Sequence, residues 1–230
     1  MTETNTLTSS PYALGAPIDL PDLLALPPDG RNYARDSRGR LTLMSPDDGR
    51  THGFSLAVLT SRLGRSVRPP HFVAQECAIA FDRIYDLRGN LLRASFLGPR
   101  AILPDVACFS RRPEFVTGPH RLTFFAPRHL ALIVEILSPG TWRSDLGIGN
   151  ADDVDRMKTY LASPAREYWL LNPAVDEPDC PVPIRGGRFL ARAAGAKRWQ
   201  EIPIPGGIVH SRAIPELTFD PADFWNECGI

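Results

Sequence analysis

Apolar residues along the chain fall into two periods. From Thr51 to Val67, Phe54, Leu56, Val58, Leu59 and Leu63 recur at helical spacing and leave Arg62 and Arg65 for solvent, which predicts a first long helix. A shorter stripe of Leu20, Leu23, Leu24 and Leu26 predicts a helix over Asp19 to Leu26, stopped by Pro27-Pro28-Asp29-Gly30. Asp152 to Ala162 predicts a second long helix, with acids in its first turn complementing the helix dipole and Pro164 setting its end.

The remaining apolar runs lack that period. Arg40 to Met44 and Phe72 to Phe81 read as strands, with a turn over Asp86 to Asn90. Ala101 to Phe109 and Leu130 to Leu137 are nearly continuous apolar runs, the pattern of sheet-centre strands covered on both faces, and Glu167 to Leu171 adds another strand. After Asn172-Pro173 come short β-like pieces, Val182 to Ile184, Arg188 to Arg192 and Trp199 to Ile202, divided by Pro and Gly. The expected class is α/β, with residues 1–16 a loose arm and 17–230 one domain. Its core runs to about residue 173, and a β-rich tail, 174–230, packs on it as an appendage.

Composition narrows the function classes. A chain of 230 residues can bury a full core without disulfides or a structural metal. Lys plus Arg and Asp plus Glu both total 26, so there is no global basic signature and any nucleic-acid affinity must come from a local patch. Arg62, Arg65 and Arg68, and the group Arg185, Arg188, Arg192, Lys197 and Arg198, are candidate phosphate contacts, although an ordinary solvated face is the better explanation of each group by itself. Cys77, Cys108, Cys180 and Cys228 show no zinc spacing and no secreted disulfide pattern. The polar start lacks a signal core and no stretch has membrane length, so the expectation is a cytoplasmic protein with no membrane partner.

The chemistry concentrates in two of the apolar runs. Pro104-Asp105 interrupts Ile102 to Phe109, and Glu135 lies inside Leu132 to Leu137. An isolated ionised carboxylate in a dry sheet costs several kcal/mol even after relaxation, so two on neighbouring central strands call for a shared explanation. A divalent cation is the economical one, since Mg²⁺ prefers carboxylate oxygens, retains waters and can serve phosphodiester cleavage. Alternatively each acid sits at a strand end, exposed or paired with an arginine.

Ordered blocks along the chain resemble the Uma-two family, within the PD-(D/E)xK restriction-endonuclease-like superfamily. They are Leu24 to Gly30, Leu43-Met44-Ser45-Pro46 with His52-Gly53, Pro104-Asp105-Val106, Val134 to Thr141, and Tyr160 followed by Glu167 to Pro173. The resemblance spans about Pro17 to Phe224. It implies a restriction-endonuclease-like core, a mixed central sheet flanked by helices, with Asp105 and Glu135 as ligands of Mg²⁺ or Mn²⁺ and DNA as substrate. Leu137 stands where the superfamily motif has its lysine. The family carries that lysine on the following helix, where counting back from Tyr160 gives Arg156, with Lys158 two residues on; the two flank the apolar stripe on opposite sides and both stay open. His52 matches the family's histidine and is a candidate for substrate or metal-bound water, with a helix-start surface role as the alternative.

Two departures bear on activity. Arg156 keeps the lysine's charge but cannot give up a proton, and Ala34 stands where the family has a glutamate after Tyr33. Asp36 and Glu76 are potential substitutes for that acid; Asp145 and Asp153 lie near the proposed site in sequence and are lesser candidates for it, early-helix acids being more often dipole partners. Ser138 and Thr141, leaving the Glu135 strand, are candidate phosphate contacts or simply turn residues. The expected function is a Mg²⁺-dependent endonuclease acting on DNA. The alternatives are a degenerate nuclease fold that binds nucleic acid or a protein without cutting, and an oligomeric scaffold joined through the C-terminal tail. A homodimer is the expected state, since restriction-like folds pair to address two strands.

Overall fold

The computed structural model describes residues 17, 32–35, 41–44, 46–92, 101–117, 123–151 and 153–230, and of 32–35, 41–44 and 46–50 the backbone alone. The expected arm over 1–16 and helix over 19–26 lie outside the described residues. The chain divides into two compact units, residues 1–49 and 50–230. In the first, β1 (Asn32–Arg35) pairs antiparallel with β2 (Leu41–Met44), Ala34 opposite Thr42. Helix α1 (Pro46–Ser66) starts before its apolar period does, on a proline, whose missing N–H is harmless in a first helical turn.

The second unit continues with β3 (Phe72–Gln75), β4 (Ile79–Ala80), β5 (Tyr85–Asp86), β6 (Ala101–Ile102), β7 (Val106–Phe109), β8 (Phe115–Thr117), β9 (Thr123–Phe125) and β10 (Leu130–Ile136). Then come α2 (Trp142–Asp145), β11 (Val154–Asp155), α3 (Arg156–Ala162), β12 (Glu167–Asn172), β13 (Gly186–Ala191), β14 (Gln200–Glu201), β15 (Val209–His210), β16 (Thr218–Phe219) and α4 (Pro221–Cys228). Six strands form the central sheet in the order β14-β13-β12-β10-β7-β3, parallel between β10 and β12 and antiparallel elsewhere. Every residue of β10 and β12 is buried, as their unbroken apolar runs require.

Strand periodicity sorts the core into two layers. Val106, Cys108, Leu132, Val134, Ile136, Trp169 and Leu171 face Leu56, Leu59 and Leu63 of α1 together with Phe224 and Trp225 of α4. Ala107, Phe109, Ile133, Tyr168 and Leu170 face the other way, toward Phe81, Trp142 and Tyr160. Glu135, between Val134 and Ile136, is thereby turned toward this second layer and Tyr160. Phe54, expected in the α1 stripe, is exposed, because at 100° per residue it lies about 160° from Leu56.

Two expected strands are each broken in the middle. The run Phe72 to Phe81 leaves the central sheet at Glu76, whose φ is 43°, and resumes as β4 in a second sheet of order β6-β4-β9-β8. The run Ala101 to Phe109 divides likewise into β6 and β7 around Pro104, which has no N–H to offer a ladder. The breaks meet: the Glu76 N–H donates to the Asp105 carbonyl at 2.9 Å.

The second long helix is shorter than its pattern. Val154 and Asp155 pair with Asp86 and Tyr85, and α3 starts at Arg156 with Asp155 as its cap, accepting from the Lys158 N–H at 2.8 Å. The β-rich tail is built into the core, since β13 and β14 extend the central sheet, while Val182 to Ile184 is not a strand. It ends in a helix the strand-like pattern had hidden, α4, capped by Asp220 and closed by Gly229 at φ 70°. Arg62 of α1 donates to Asp223 at 2.7 Å and to Glu227, so this candidate phosphate contact is taken up by α4. Among the described residues no helix is long and apolar enough to cross a membrane.

Trp169 ties the central sheet to this tail, its ring 5.4 Å from Phe189 and 5.6 Å from Phe219. Trp169→Ala is expected to lower unfolding free energy by about 3–5 kcal/mol, read by urea denaturation.

Candidate active site

The two strand breaks and the end of β10 bring the acids together. Because Val106 lies opposite Val134, Asp105 just before β7 falls beside Glu135 and Ile136 near the end of β10. The contact is reciprocal: the Asp105 N–H donates to Glu135 Oε2 at 3.1 Å, and the Ile136 N–H donates to Asp105 Oδ2 at 2.6 Å. Each carboxylate is thus oriented by the other acid's strand.

Glu135 and Asp145 are each 1% exposed, whereas Asp105 and Arg156 keep 16% and 21% of their side-chain surface open. Arg156 Nη1 donates to Glu135 Oε1 and to Asp145 Oδ1, both at 3.0 Å. The Tyr160 hydroxyl also donates to Glu135 Oε1, at 2.5 Å, and Tyr168 donates to the Asp145 carbonyl at 2.9 Å. Asp145 Oδ2 is buried and has no direct hydrogen bond among the described residues, while the Thr141 hydroxyl acts on the same carboxylate and pulls its pKa down. On the open side, His52 Nε2 lies 3.2 Å from Asp105 Oδ1.

Three carboxylates therefore face one guanidinium and one imidazole, and the electrostatics record the shortage of positive charge. Burial pushes the Glu135 carboxyl well above its ordinary range, Arg156 pulls it down, and the charges of Asp105 and Asp145 push it up again. Asp145 is pushed up to about 6, by burial first and then by Asp105, against the opposing pull of Arg156. Burial works against a charged His52, but its hydrogen bond to Asp105 and the charges of Asp105, Glu76 and Asp145 prevail and raise its pKa. Burial and the Glu135 charge hold the Tyr160 hydroxyl protonated, so it remains a donor.

Asp105, Glu135, His52 and Arg156 converge; Lys158 does not join them. Its Nζ lies 4.5 Å over the Tyr85 ring and donates to the Gly89 carbonyl at 3.1 Å. Helical geometry separates the two basic residues as expected, and contacts decide which one meets the acids. Ser138 and Thr141 hydroxyls pair with each other at 3.1 Å in the loop leaving β10. Glu76 is exposed at its break, within electrostatic reach of His52. Asp145, a lesser candidate against its helix-dipole role, belongs to the cluster. A signal existed, since Trp142, Asp145 and Leu146 stand at i, i+3 and i+4 and all are buried, which places an acid on an apolar face.

Among the described residues no group of three or more His, Cys, Asp or Glu side chains is arranged to hold a metal ion. The donor set nevertheless suits a hard divalent cation of the kind that binds through one or two carboxylates and keeps waters for its other positions. All the acidic donors are oxygens, their negative charge exceeds the positive charge beside them, and the buried Asp145 Oδ2 has no direct hydrogen bond among the described residues. Asp105 and Glu135 are the residues that would hold such an ion.

A family model described as "Uma2: Putative restriction endonuclease" matches residues 20–221. Among solved structures, the chain is similar to one described as a putative nuclease belonging to DUF820 from Anabaena variabilis ATCC 29413, with 18% identity and a TM-score of 0.51 over 92% of this chain and 99% of that one. At that identity the likeness is one of fold, a mixed α/β restriction-endonuclease-like architecture. No curated protein matches. With the model matching most of its length, the chain belongs to the Uma2 family.

Proposed function

We propose that this protein is a Mg²⁺- or Mn²⁺-dependent endonuclease that hydrolyses DNA phosphodiester bonds, with Asp105 and Glu135 as the metal ligands. The observation that carries this reading is the reciprocal Asp105–Glu135 contact inside a group whose carboxylates outnumber its cations. Family membership and fold support the nuclease class. A bound divalent ion would supply Lewis-acid polarisation of the phosphate and a more acidic water. The protein's part is positional. The Ile136 and Asp105 backbone N–H groups aim the two carboxylates, Tyr160 and Arg156 fix Glu135 Oε1, and His52 meets Asp105 at the open side. Arg156 thus takes the lysine's place as the charged group, while Lys158 supports the loop around Gly89. A cytoplasmic homodimer with two sites addressing two strands completes the proposal.

A second reading has one specific observation in its favour. Arg156 keeps its proton and its Nη1 is engaged by two acids, so it cannot deprotonate a water as a free lysine could. A fold that binds DNA or a protein without cutting is consistent with that engagement.

Titration calorimetry of Mg²⁺ and Mn²⁺, run beside plasmid nicking in the same buffers, separates the readings. Asp105→Ala and Glu135→Gln are expected to weaken metal binding and metal-dependent nicking by more than about 100-fold, beyond the usual effect of an outer-shell loss. Wild-type protein that binds neither ion would end the catalytic reading and leave the binding one.

The charge imbalance also predicts a pH dependence. The Asp145 pKa is raised to about 6, so between about pH 4 and pH 6 the folded protein retains a proton that the unfolded chain has released. Stability without metal therefore falls as pH rises through that window, and the raised Glu135 carboxyl acts in the same direction. Relative to Asp145→Asn, the wild type is expected to lose on the order of 2 kcal/mol between about pH 4 and pH 7, measured by urea unfolding in a chelator. A pH-independent difference would contradict the imbalance.

A further inference from the structure

We infer that the Arg156 guanidinium fills a divalent-cation subsite between Glu135 and Asp145, and that a neutral side chain at 156 opens that subsite to a metal ion. The inference deepens the proposed metal reading and rests on it for the number of ions in the unaltered protein.

Three observations carry it. An arginine meeting a carboxylate in its favoured geometry uses two nitrogens in a fork. Here a single nitrogen, Nη1, stands 3.0 Å from Glu135 Oε1 and 3.0 Å from Asp145 Oδ1, bridging acids on a strand and on a separate helical turn as a point charge would. Both acids are 1% exposed, so the site is built into the core. Asp145 Oδ2, in the same carboxylate, is buried with no direct hydrogen bond among the described residues, so the guanidinium leaves one hard-oxygen donor unused. Two carboxylates from different elements with an unused oxygen make a chelating pair for Mg²⁺ or Mn²⁺.

The geometry also gives Arg156 a consequence for the site as a whole. Its charge is fixed in place, whereas an ion would exchange with solvent. The unaltered chain therefore has one exchangeable position, at Asp105 and Glu135, and a permanent cation beside it. Two ions side by side, the arrangement that clamps both oxygens of an in-line displacement, would require the guanidinium to leave.

The test uses the full chain carrying Arg156→Ala or Arg156→Gln, each also combined with Asp145→Asn. Mn²⁺ is the probe, its bound number counted by calorimetry and by the electron spin resonance of the free ion, with melting points recorded in chelator and in excess Mn²⁺. Each single variant is expected to bind one ion more than wild type and to melt about 5 °C or more higher with Mn²⁺ than without, beyond the wild-type response. Adding Asp145→Asn should abolish both gains. If wild type binds no ion while the variants bind one that depends on Asp145, the subsite stands and the metal reading of Asp105 and Glu135 falls. Variants that fold only with Mn²⁺ also support the subsite. An unchanged ion count, a gain indifferent to Asp145, or variants that Mn²⁺ cannot restore to a folded state would overturn it.

Discussion

The constraint on which the site depends is the burial of the Glu135 carboxylate in the middle layer of the molecule. β10 is buried along its whole length, and its period of two turns Glu135 onto the same face as Ile133 and Leu137. A charge there is tolerable only with partners, and they come from two places: Arg156 and Tyr160 from α3, and the Asp105 N–H from just before β7. Removing one partner from such a group leaves an uncompensated charge, which typically costs about 3–5 kcal/mol. Thus α3 has to dock where its first residue and its fifth, Arg156 and Tyr160, both reach Glu135. The late start of that helix follows from the same demand, since Val154 and Asp155 are held by β5 and Arg156 emerges directly behind them.

The breaks in the two runs that supply β3 and β7 serve the same point in space. Had Phe72 to Phe81 and Ala101 to Phe109 continued unbroken, Asp105 would have lain within a ladder. Pro104 ends pairing just before Asp105, and Glu76 at positive φ turns the neighbouring strand away while its N–H stays on the Asp105 carbonyl. The Asp105 side chain is left partly open beside His52, with Glu135 behind it in the dry layer. One carboxylate accessible to a ligand and one shielded from solvent result from the geometry of a strand end meeting a strand interior.

That arrangement was partly legible in the residue pattern. Lone acids in apolar runs identify Asp105 and Glu135, because nothing in a sheet interior excuses an unpaired charge. Pro104 was a readable warning against a continuous strand. The change of sheet was not readable, since β4 and β6 are as apolar as the strands they leave and periodicity does not say which sheet a run joins. Arg156 and Lys158 could not be separated by helical geometry, and only the contact with two buried acids, against the Tyr85 ring and the Gly89 carbonyl, distinguishes them. Helix α4 had its stop and start signals in view, Asp220 before Pro221 and Gly229 at the end. They were outweighed by a tail otherwise written in short β pieces.

The distribution of the remaining arginines bears on how such a chain would meet a polyanion. The sequence offered two basic groups as phosphate contacts, yet Arg62 is clasped by Asp223 and Glu227, Arg188 by Glu201, and the Arg192 Nε by the Ala165 carbonyl. Arg143 lies over the Trp142 ring with Glu177 nearby, and Arg128 stands within 3.6 Å of Glu114. A chain of zero formal net charge in which these arginines are already engaged has less diffuse attraction for DNA than a basic one would, so binding would lean on local contacts. Binding of a polyanion would then depend on the site itself, where three carboxylates meet one guanidinium and one imidazole. On the proposed metal-dependent function, metal loading and phosphate binding would be coupled by that excess of negative charge: the acids that repel a phosphate would also hold the ion that draws it in.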